Sequence, residues 1–145
     1  EESGVVAAAL LKAAGFKVVK MEVVKNLDVK SAISQMLADD EIQAILAIGG
    51  TGISPHDVTV DAIDELRQKH LPGYGEYFRA LTRERWEKEK KNLGLLFMDT
   101  RANAGVAQGK IIFGVPGSPD ATDLAVREII IPSLPTLYGQ LQKKS

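Results

Sequence analysis

The sequence predicts a layered α/β fold built on a parallel sheet, and three observations support this prediction. Two continuous apolar runs, QAILAI (43–48) and IIFGV (111–115), have the length and composition of strands buried on both faces of a sheet. Helical patterns lie before and after these runs, so that helix and strand alternate along the chain. Each run stops at a glycine-containing turn that leads into a helical pattern, as in right-handed βα connections.

The composition bounds the class of protein. The 145 residues suffice for one domain with a single core, and 45% hydrophobic and 26% charged residues are typical of a soluble globular protein. A net charge of −1 gives no polybasic surface for nucleic acid or an anionic membrane. The absence of cysteine excludes disulfides, thiolate catalysis and cysteine-ligated zinc. Since there is no membrane-spanning apolar run and no secretory signal, we expect a cytoplasmic protein.

The first elements are predicted from capping residues and apolar spacing. Ser3 is a candidate cap for a first helix that Gly15 closes. The predicted apolar stripe of this helix contains Val6, Ala9, Leu10 and Ala13. The next segment, FKVVKMEVV (16–24), reads as a strand. Asp28 is a plausible N-cap for a second helix in VKSAISQMLADD (29–40). Its inward face contains Val29, Ile33, Met36 and Leu37.

After the strand QAILAI, Thr59 is predicted to cap a third helix, VDAIDELRQKH (60–70), whose Ile63 and Leu66 point inward. The segment LPGYGEYFRAL (71–81) is predicted as a short helix after a turn. The mixed charges of RERWEKEKK (83–91) indicate a solvated helical face. For LGLLFM (93–98), the pattern does not distinguish helix from strand.

The alternation of elements returns at Lys110. IIFGV is predicted as a strand, PGSPDATDLAVREIIIP (116–132) as a turn and helix, and SLPTLYGQLQ (133–142) as a closing helix. Ser118 and Pro119 suit the N-cap and the first turn of the helix after IIFGV. The whole chain therefore reads as one compact unit without an internal repeat or linker.

Two loops share one design. GGTG (49–52) follows the first buried strand and PGSP (116–119) follows the last, and a helix begins after each. The carboxyl ends of parallel strands are where open α/β sheets bind ligands. Glycines let backbone N–H groups approach an anion, and the next helix adds its positive end. The alternative is that the glycines merely permit tight βα connections.

Asp57 lies between the glycines and the third helix. A carboxylate repels a phosphate unless a cation lies between them or unless it handles a proton. Mg²⁺ is held in this way, by one or two carboxylates together with phosphate oxygens of the substrate. The alternative is an acidic cap in the first turn of the helix, but Thr59 lies closer to the helix start. The loop therefore predicts a nucleotide with its metal.

Arg101 is a further candidate for this site. It follows Asp99 and precedes a run of small residues, so that its guanidinium is placed to hold a phosphate bidentately. The alternative for Arg101 is a structural ion pair.

Four segments carry a family resemblance. GGTGISPHDVTVDAI, LPGYGEYFRAL, TRANAGV and GVPGSPDATDLAVREIIIP resemble, in this order, signature segments of the MoaB/MogA family of molybdenum cofactor biosynthesis proteins. The opening ESG resembles the turn after the family's first strand, which would precede residue 1. The resemblance thus implies a three-layer α/β sandwich with a mostly parallel sheet. It also implies that residues 1–145 form a single molybdopterin-binding domain without that strand.

The resemblance implies an activity of molybdopterin adenylyltransferase type, in which molybdopterin and Mg·ATP are the substrates. It makes Asp57 a catalytic residue and the residue that holds Mg²⁺. It places the following residues in the molybdopterin and nucleotide site: Gly49, Gly50, Thr51, Gly52, Thr59, Glu76, Arg101, Pro116, Gly117 and Ser118. Arg101 would then hold a phosphate or the pterin. Glu76 matches a family glutamate beside two aromatic residues, and its alternative is a polar helix face. In the segment before TRANAGV the chain departs from the family pattern, and Thr100 stands where serine is common.

The resemblance further implies a homo-oligomer, a trimer or a hexamer, and hand-over of the product to a molybdate-insertion protein. Candidates for the oligomer surface are Trp86, Leu95, Leu96 and Phe97. Two alternatives stay open: a binding protein of the same family that holds molybdopterin without catalysis, and an accessory domain of this fold within a larger protein. Whether molybdenum or tungsten is the metal of the pathway is open as well.

Overall fold

A computed structural model of the chain describes residues 2–88 and 96–144, apart from the side chains of Trp86 and Leu96. The α-helices of these residues are α1 (Glu2–Ala13), α2 (Val29–Leu37), α3 (Thr59–Leu66), α4 (Pro72–Lys88), α5 (Leu96–Asp99), α6 (Pro119–Ala125) and α7 (Ile131–Leu141). The strands are β1 (Ala44–Ile48), β2 (Lys69–His70), β3 (Ala104–Ala107) and β4 (Lys110–Val115). A 3₁₀ turn precedes α2 and a π-helical segment, Val126–Ile130, joins α6 to α7.

The four strands form one sheet in the order β1-β4-β3-β2. β1 is parallel to β4, and Ala44 lies opposite Ile111 at the start of the ladder. β3 and β4 form an antiparallel hairpin, whose turn at Gln108 and Gly109 has positive φ at both residues. Since β2 is antiparallel to β3, the strands β1, β4 and β2 run in one direction and β3 runs against them. The predicted α/β fold with a mostly parallel sheet is confirmed.

Helices cover both faces of the sheet, which makes the fold three-layered. Alternate residues of β4 divide between two apolar clusters, because successive side chains of a strand point to opposite faces. Ile111 and Phe113 join the cluster under α1, α4, α6 and α7, whereas Ile112 joins the cluster under α2 and α3. This double burial explains why the strand reads as a continuous apolar run.

The first helix is confirmed, but its predicted apolar stripe is only partly right, since Leu10 packs against the core while other members do not. The residues of α1 that are buried are Ser3, Ala7 and Ala8. Ala9 and Ala13 are exposed instead. Four alanines, two valines and two leucines surround the helix with apolar side chains, so spacing alone did not identify the inward face. Gly15 ends the helix with a φ of +93°, as predicted.

The predicted strand at residues 16–24 is wrong. This segment is irregular and pairs with no described strand. Val19, Met21 and Val23 are exposed. The segment and β1 both line a cavity of about 1090 Å³. β-branched residues favour a pleated surface, but a strand also requires a neighbouring strand that pairs with its backbone N–H and C=O groups.

The α2 helix and its buried Val29, Ile33 and Leu37 agree with the prediction. The third helix is shorter than predicted, because Arg67 leaves the helical conformation and residues 69–70 form β2. Thr59 is the first residue of α3, and the cap position belongs to Val58. Both β2 and β3 went unpredicted, since neither has a run of β-branched residues.

The middle of the chain forms one long helix, α4, which joins the predicted short helix to most of the charged stretch. The side chains of residues 83, 84, 85, 87 and 88 are exposed, as predicted for a solvated face. Within LGLLFM, residues 96–98 are helical, and residues 93–95 lie outside the described residues. No helix of the described part of the chain has the length and apolar character needed to cross a membrane.

Candidate functional site

The two predicted loops lie side by side at the carboxyl ends of β1 and β4. Gly49 N–H donates to the Val115 carbonyl over 2.8 Å, which extends the parallel ladder by one step into the GGTG loop (residues 49–52). A methyl group added at Gly117 would lie 3.1 Å from Gly49 Cα, so the PGS loop (residues 116–118) touches the GGTG loop. Parallel pairing of two strands therefore explains why these glycines meet.

Two residues of the GGTG loop require glycine for their backbone conformation. Gly49 has a φ of +96° and Gly50 a φ of +67°, where other L-residues are strained. The Gly50 carbonyl accepts from Thr59 N–H over 3.1 Å, so that the loop closes against the first turn of α3. A Cβ atom at Gly50 would collide with Thr59 Oγ1. The sequence thus has glycine where the backbone passes closest to the helix start.

The PGS loop is held by hydroxyl groups. Ser118 caps α6, and its Oγ accepts from Ala121 N–H over 3.3 Å, as predicted. The buried Thr122 hydroxyl donates to the Pro116 carbonyl over 2.8 Å. From α1, the Ser3 hydroxyl donates to the Gly117 carbonyl over 2.6 Å. The first turns of α1, α3 and α6 therefore meet at this edge of the sheet and contribute the positive ends of their dipoles.

Asp57 lies at the end of the segment that leaves the GGTG loop. Its Oδ2 accepts from Ser54 N–H over 2.9 Å, and its own N–H donates to the Ser54 carbonyl over 3.0 Å. A methyl group at Gly52 would lie 2.8 Å from Asp57 Oδ2, so the carboxylate folds back over that glycine. The other oxygen, Oδ1, makes no hydrogen bond to any described residue.

These contacts permit a magnesium ion at Asp57. Among residues 2–88 and 96–144, no group of three or more His, Asp or Glu side chains is arranged to hold a metal ion. A cation bound by Asp57 Oδ1 would therefore take its remaining ligands from water and from the phosphates of a nucleotide. This is the way in which Mg²⁺ prefers to bind at phosphate-transfer sites.

Arg101 lies against the GGTG loop on the side of α3. Its backbone N–H donates to the Thr51 carbonyl over 2.7 Å, and its Nε donates to the Gly52 carbonyl over 2.7 Å. Its Nη2 reaches the Asp57 carbonyl over 3.0 Å. Thr51 itself is buried, which anchors this end of the loop. The guanidinium that the sequence predicts near a ligand thus binds the backbone of the loop.

An exposed carboxylate, Asp61, completes the surroundings of Arg101. Nη1 contacts Asp61 Oδ1 at 3.0 Å and Nη2 contacts Oδ2 at 3.2 Å. The hydrogen bond from Arg101 lowers the pKa of Asp61 below its usual range. Since the folded pKa is depressed, the pair stabilises the fold above the ordinary aspartate pKa. That contribution is lost as the pH falls through the lowered pKa.

Glu76 does not lie in the loop cluster. It is exposed on α4 and lines a separate cavity of about 540 Å³ together with Arg79, Thr100 and Arg101. The Arg79 Nη1 atom donates to the Ala102 carbonyl over 3.1 Å in the wall of this cavity. Arg101 lines the cavity as well as contacting the loop, so the two regions are neighbours.

The structure thus brings together the predicted loop residues, Asp57, Thr59 and Arg101, and places Glu76 next to them. Sequence reasoning missed three residues of the cluster: Ser3, Asp61 and Thr122. Ser3 had a signal in the opening ESG, but a hydroxyl that binds a carbonyl 114 residues away leaves no local pattern. Asp61 reads from the sequence as an ordinary acid in the first turn of a helix.

Comparison with known proteins agrees with the geometry. Residues 1–136 match the family described as a probable molybdopterin binding domain. The chain is 36% identical over 147 residues to molybdenum cofactor biosynthesis protein B of Bacillus subtilis, covering 99% of this chain and 82% of the relative. The corresponding protein of Halalkalibacterium halodurans is 37% identical over 145 residues, with 99% and 82% covered.

Solved structures give the same result. A crystal structure of molybdenum cofactor biosynthesis protein B superposes with a TM-score of 0.87 at 32% identity, covering 98% of this chain and 86% of that one. The tungsten cofactor synthesizing protein MoaB of Pyrococcus furiosus superposes with a TM-score of 0.81 at 26% identity, covering 97% and 85%.

Proposed function

Because the chain belongs to the MoaB/MogA family of molybdenum cofactor biosynthesis proteins, we propose that it adenylylates molybdopterin. In this reaction an oxygen of the terminal phosphate of molybdopterin attacks the α-phosphorus of ATP. A new phosphorus–oxygen bond forms, the bond between the α-phosphorus and the bridging oxygen breaks, and pyrophosphate leaves. The observation that carries the proposal is the meeting of two glycine loops and three helix N-termini beside the carboxylate of Asp57.

The GGTG and PGS loops bind the phosphate groups of the two substrates in this proposal. Gly117 touches Gly49, which adjoins Gly50, and none of the three has a side chain, so that phosphate oxygens can approach the backbone. Ser118 and Thr59 add hydroxyl groups at the starts of α6 and α3. This arrangement orients the two phosphate groups that react, and orientation is the largest task of a phosphoryl-transfer enzyme.

Asp57 would hold Mg²⁺ through its carboxylate. When bound, Mg²⁺ neutralises charge on the phosphates of ATP and on the pyrophosphate that leaves. The Ser54 N–H fixes the orientation of the carboxylate, while Oδ1 stays available to a cation. The cavity of about 540 Å³ beside Glu76 and Arg101 has a volume suited to a heterocycle such as a pterin.

Incubation of the protein with molybdopterin, ATP and Mg²⁺ tests the proposal directly. We expect adenylylated molybdopterin and pyrophosphate in equal amounts, and no turnover of ATP without the pterin. Tight binding of molybdopterin with no adenylylated product would contradict the enzyme and favour the non-catalytic binding protein. Loss of both binding and turnover would contradict the two functions together.

We also propose that the chain self-associates into trimers or hexamers. In the described part of the chain, Tyr77 and Met98 are large apolar side chains left exposed on α4 and α5, and Phe97 is half-buried beside Arg83. The other predicted interface residues, Trp86, Leu95 and Leu96, have side chains outside the described residues. Sedimentation at micromolar concentrations is expected to give three or six times the monomer mass, and a monomer throughout that range would contradict the proposal.

A further inference from the structure

The side chain of Asp61 makes no hydrogen bond to the GGTG loop itself, but it is connected to the loop through Arg101. The carboxylate and the guanidinium meet edge to edge, with two contacts of 3.0 and 3.2 Å. The adjacent edge of the guanidinium, formed by Nε and Nη2, donates to the carbonyls of Gly52 and Asp57 over 2.7 and 3.0 Å. Arg101 therefore connects α3 to both ends of the segment that carries Asp57.

We propose that Asp61 is a positioning residue of the candidate site, which holds Arg101 on the loop backbone and so fixes the place of the Asp57 carboxylate. The consequence for catalysis rests on the proposed function, whereas the effect on the loop does not. Asp61 acts only through Arg101, and none of its hydrogen bonds reaches the GGTG loop itself.

The loop needs such a fixing contact. Between Gly52 and Asp57 the chain is exposed, and Ile53 has 75% of its surface in solvent. The segment packs little apolar surface, so its order depends on hydrogen bonds. Those from Arg101 are charge-assisted, and each contributes more than a neutral hydrogen bond.

The guanidinium of Arg101 lies in the field of several carboxylates. The pKa of Arg101 is raised first by the hydrogen bond to Asp61, and the charges of Asp57 and Asp64 raise it further. Asp61 is the carboxylate to which the guanidinium donates, whereas its hydrogen bond to residue 57 goes to the backbone carbonyl. In Asp61→Asn we expect the guanidinium to lose this fixed orientation and its hydrogen bonds to the loop carbonyls to weaken.

The same helix provides a matched control. Glu65 lies one turn after Asp61 on α3, and its side chain is 58% exposed against 56% for Asp61. It forms an ion pair of 2.7 Å with Lys30, which is on α2 and not on the loop. Glu65→Gln therefore removes an equally exposed carboxylate and its ion pair from α3 without releasing the GGTG loop.

Hydrogen exchange of the ligand-free protein tests the proposal. In Asp61→Asn we expect the amides of residues 50–58 to exchange roughly 10-fold faster than in the wild type. Glu65→Gln is expected to leave them unchanged, and Asp61→Glu, which keeps the charge, should restore part of the protection. Unchanged exchange at residues 50–58 in Asp61→Asn would overturn the proposal. Faster exchange spread equally over β1 and β4 would also overturn it, because the pair would then serve only overall stability.

Kinetics separate this inference from the proposed function. If the chain adenylylates molybdopterin, Asp61→Asn should lower kcat roughly 10- to 100-fold, with a smaller change in KM. Arg101→Lys should give a similar loss, and the double variant little more than either single change, because the two residues act as one unit. Full additivity of the two losses would contradict the coupling. Faster loop exchange in Asp61→Asn together with an inactive wild type would uphold the positioning role and reject the enzyme.

Discussion

Asp57→Asn is expected to lower the rate of molybdopterin adenylylation roughly 100- to 1,000-fold, the usual loss for one electrostatic interaction with a transferring group. The structure makes this substitution clean, because the asparagine oxygen can still accept from Ser54 N–H at the place of Oδ2. The loop contacts of Arg101 go to backbone carbonyls and do not require the Asp57 carboxylate. The variant therefore loses a charge and keeps the loop.

The measurement is single-turnover formation of adenylylated molybdopterin, with thermal unfolding as the control for folding. Binding of molybdopterin without ATP should survive, since the metal enters with the nucleotide, and it should tighten if the terminal phosphate lies near Asp57. A helix cap would behave differently, because asparagine caps nearly as well as aspartate. Wild-type turnover in Asp57→Asn would remove this residue from the catalytic role.

The part of the site that depends on strand geometry could be predicted from the sequence. β1 and β4 are recognisable in the sequence as continuous apolar runs, and the carboxyl ends of parallel strands lie at the same edge of a sheet. The meeting of Gly49 with Gly117 therefore followed from two local patterns. The cap at Ser118 was also predictable, since it depends only on residues 118–121.

The contacts between residues that are far apart in the sequence were not predictable. Arg101 was expected to bind a ligand, whereas its carbonyl and Asp61 contacts span 40 to 49 residues and no spacing encodes them. β3 was not predicted because its residues are small, and packing against Arg67 requires a small residue at Gly105. A methyl group at Gly105 would lie 2.7 Å from Arg67 Cβ, so β-branched residues do not fit there. Residues 16–24 are the opposite case: their composition is typical of a strand, but no described strand pairs with them.

The second large effect is expected at Gly50, where the backbone and the packing both exclude a side chain. Gly50→Ala should lower the free energy of unfolding by about 2–5 kcal/mol. Roughly 1–2 kcal/mol of this comes from positive φ and about 1–3 kcal/mol from overpacking against Thr59. The collision is hard to relieve because Thr59 N–H also donates to the Gly50 carbonyl, so that moving apart breaks a contact at the start of α3.

Two other glycines separate these contributions. Gly15 and Gly49 have φ values of +93° and +96°, and a Cβ atom at either would meet nothing within 4 Å. Gly15→Ala and Gly49→Ala should therefore each cost only about 1–2 kcal/mol in urea unfolding. Gly15 lies at the end of α1, outside the candidate site, whereas Gly49 is in the loop. Ligand binding should weaken in Gly49→Ala beyond any effect seen in Gly15→Ala.

Thr59→Ala provides the decisive comparison, because it removes the hydroxyl that a Cβ atom at Gly50 would strike. In the double variant Gly50→Ala/Thr59→Ala, the part of the overpacking that comes from Oγ1 should be relieved, while the backbone strain and the contacts with Thr59 Cβ at 3.1 Å and Thr59 N at 3.2 Å remain. Gly50→Ala is therefore expected to cost less free energy of unfolding in the Thr59→Ala background than in the wild type. If Gly50→Ala is no less stable than Gly49→Ala, or if Thr59→Ala gives no relief, then close contact between the GGTG loop and α3 does not explain the glycine at this position.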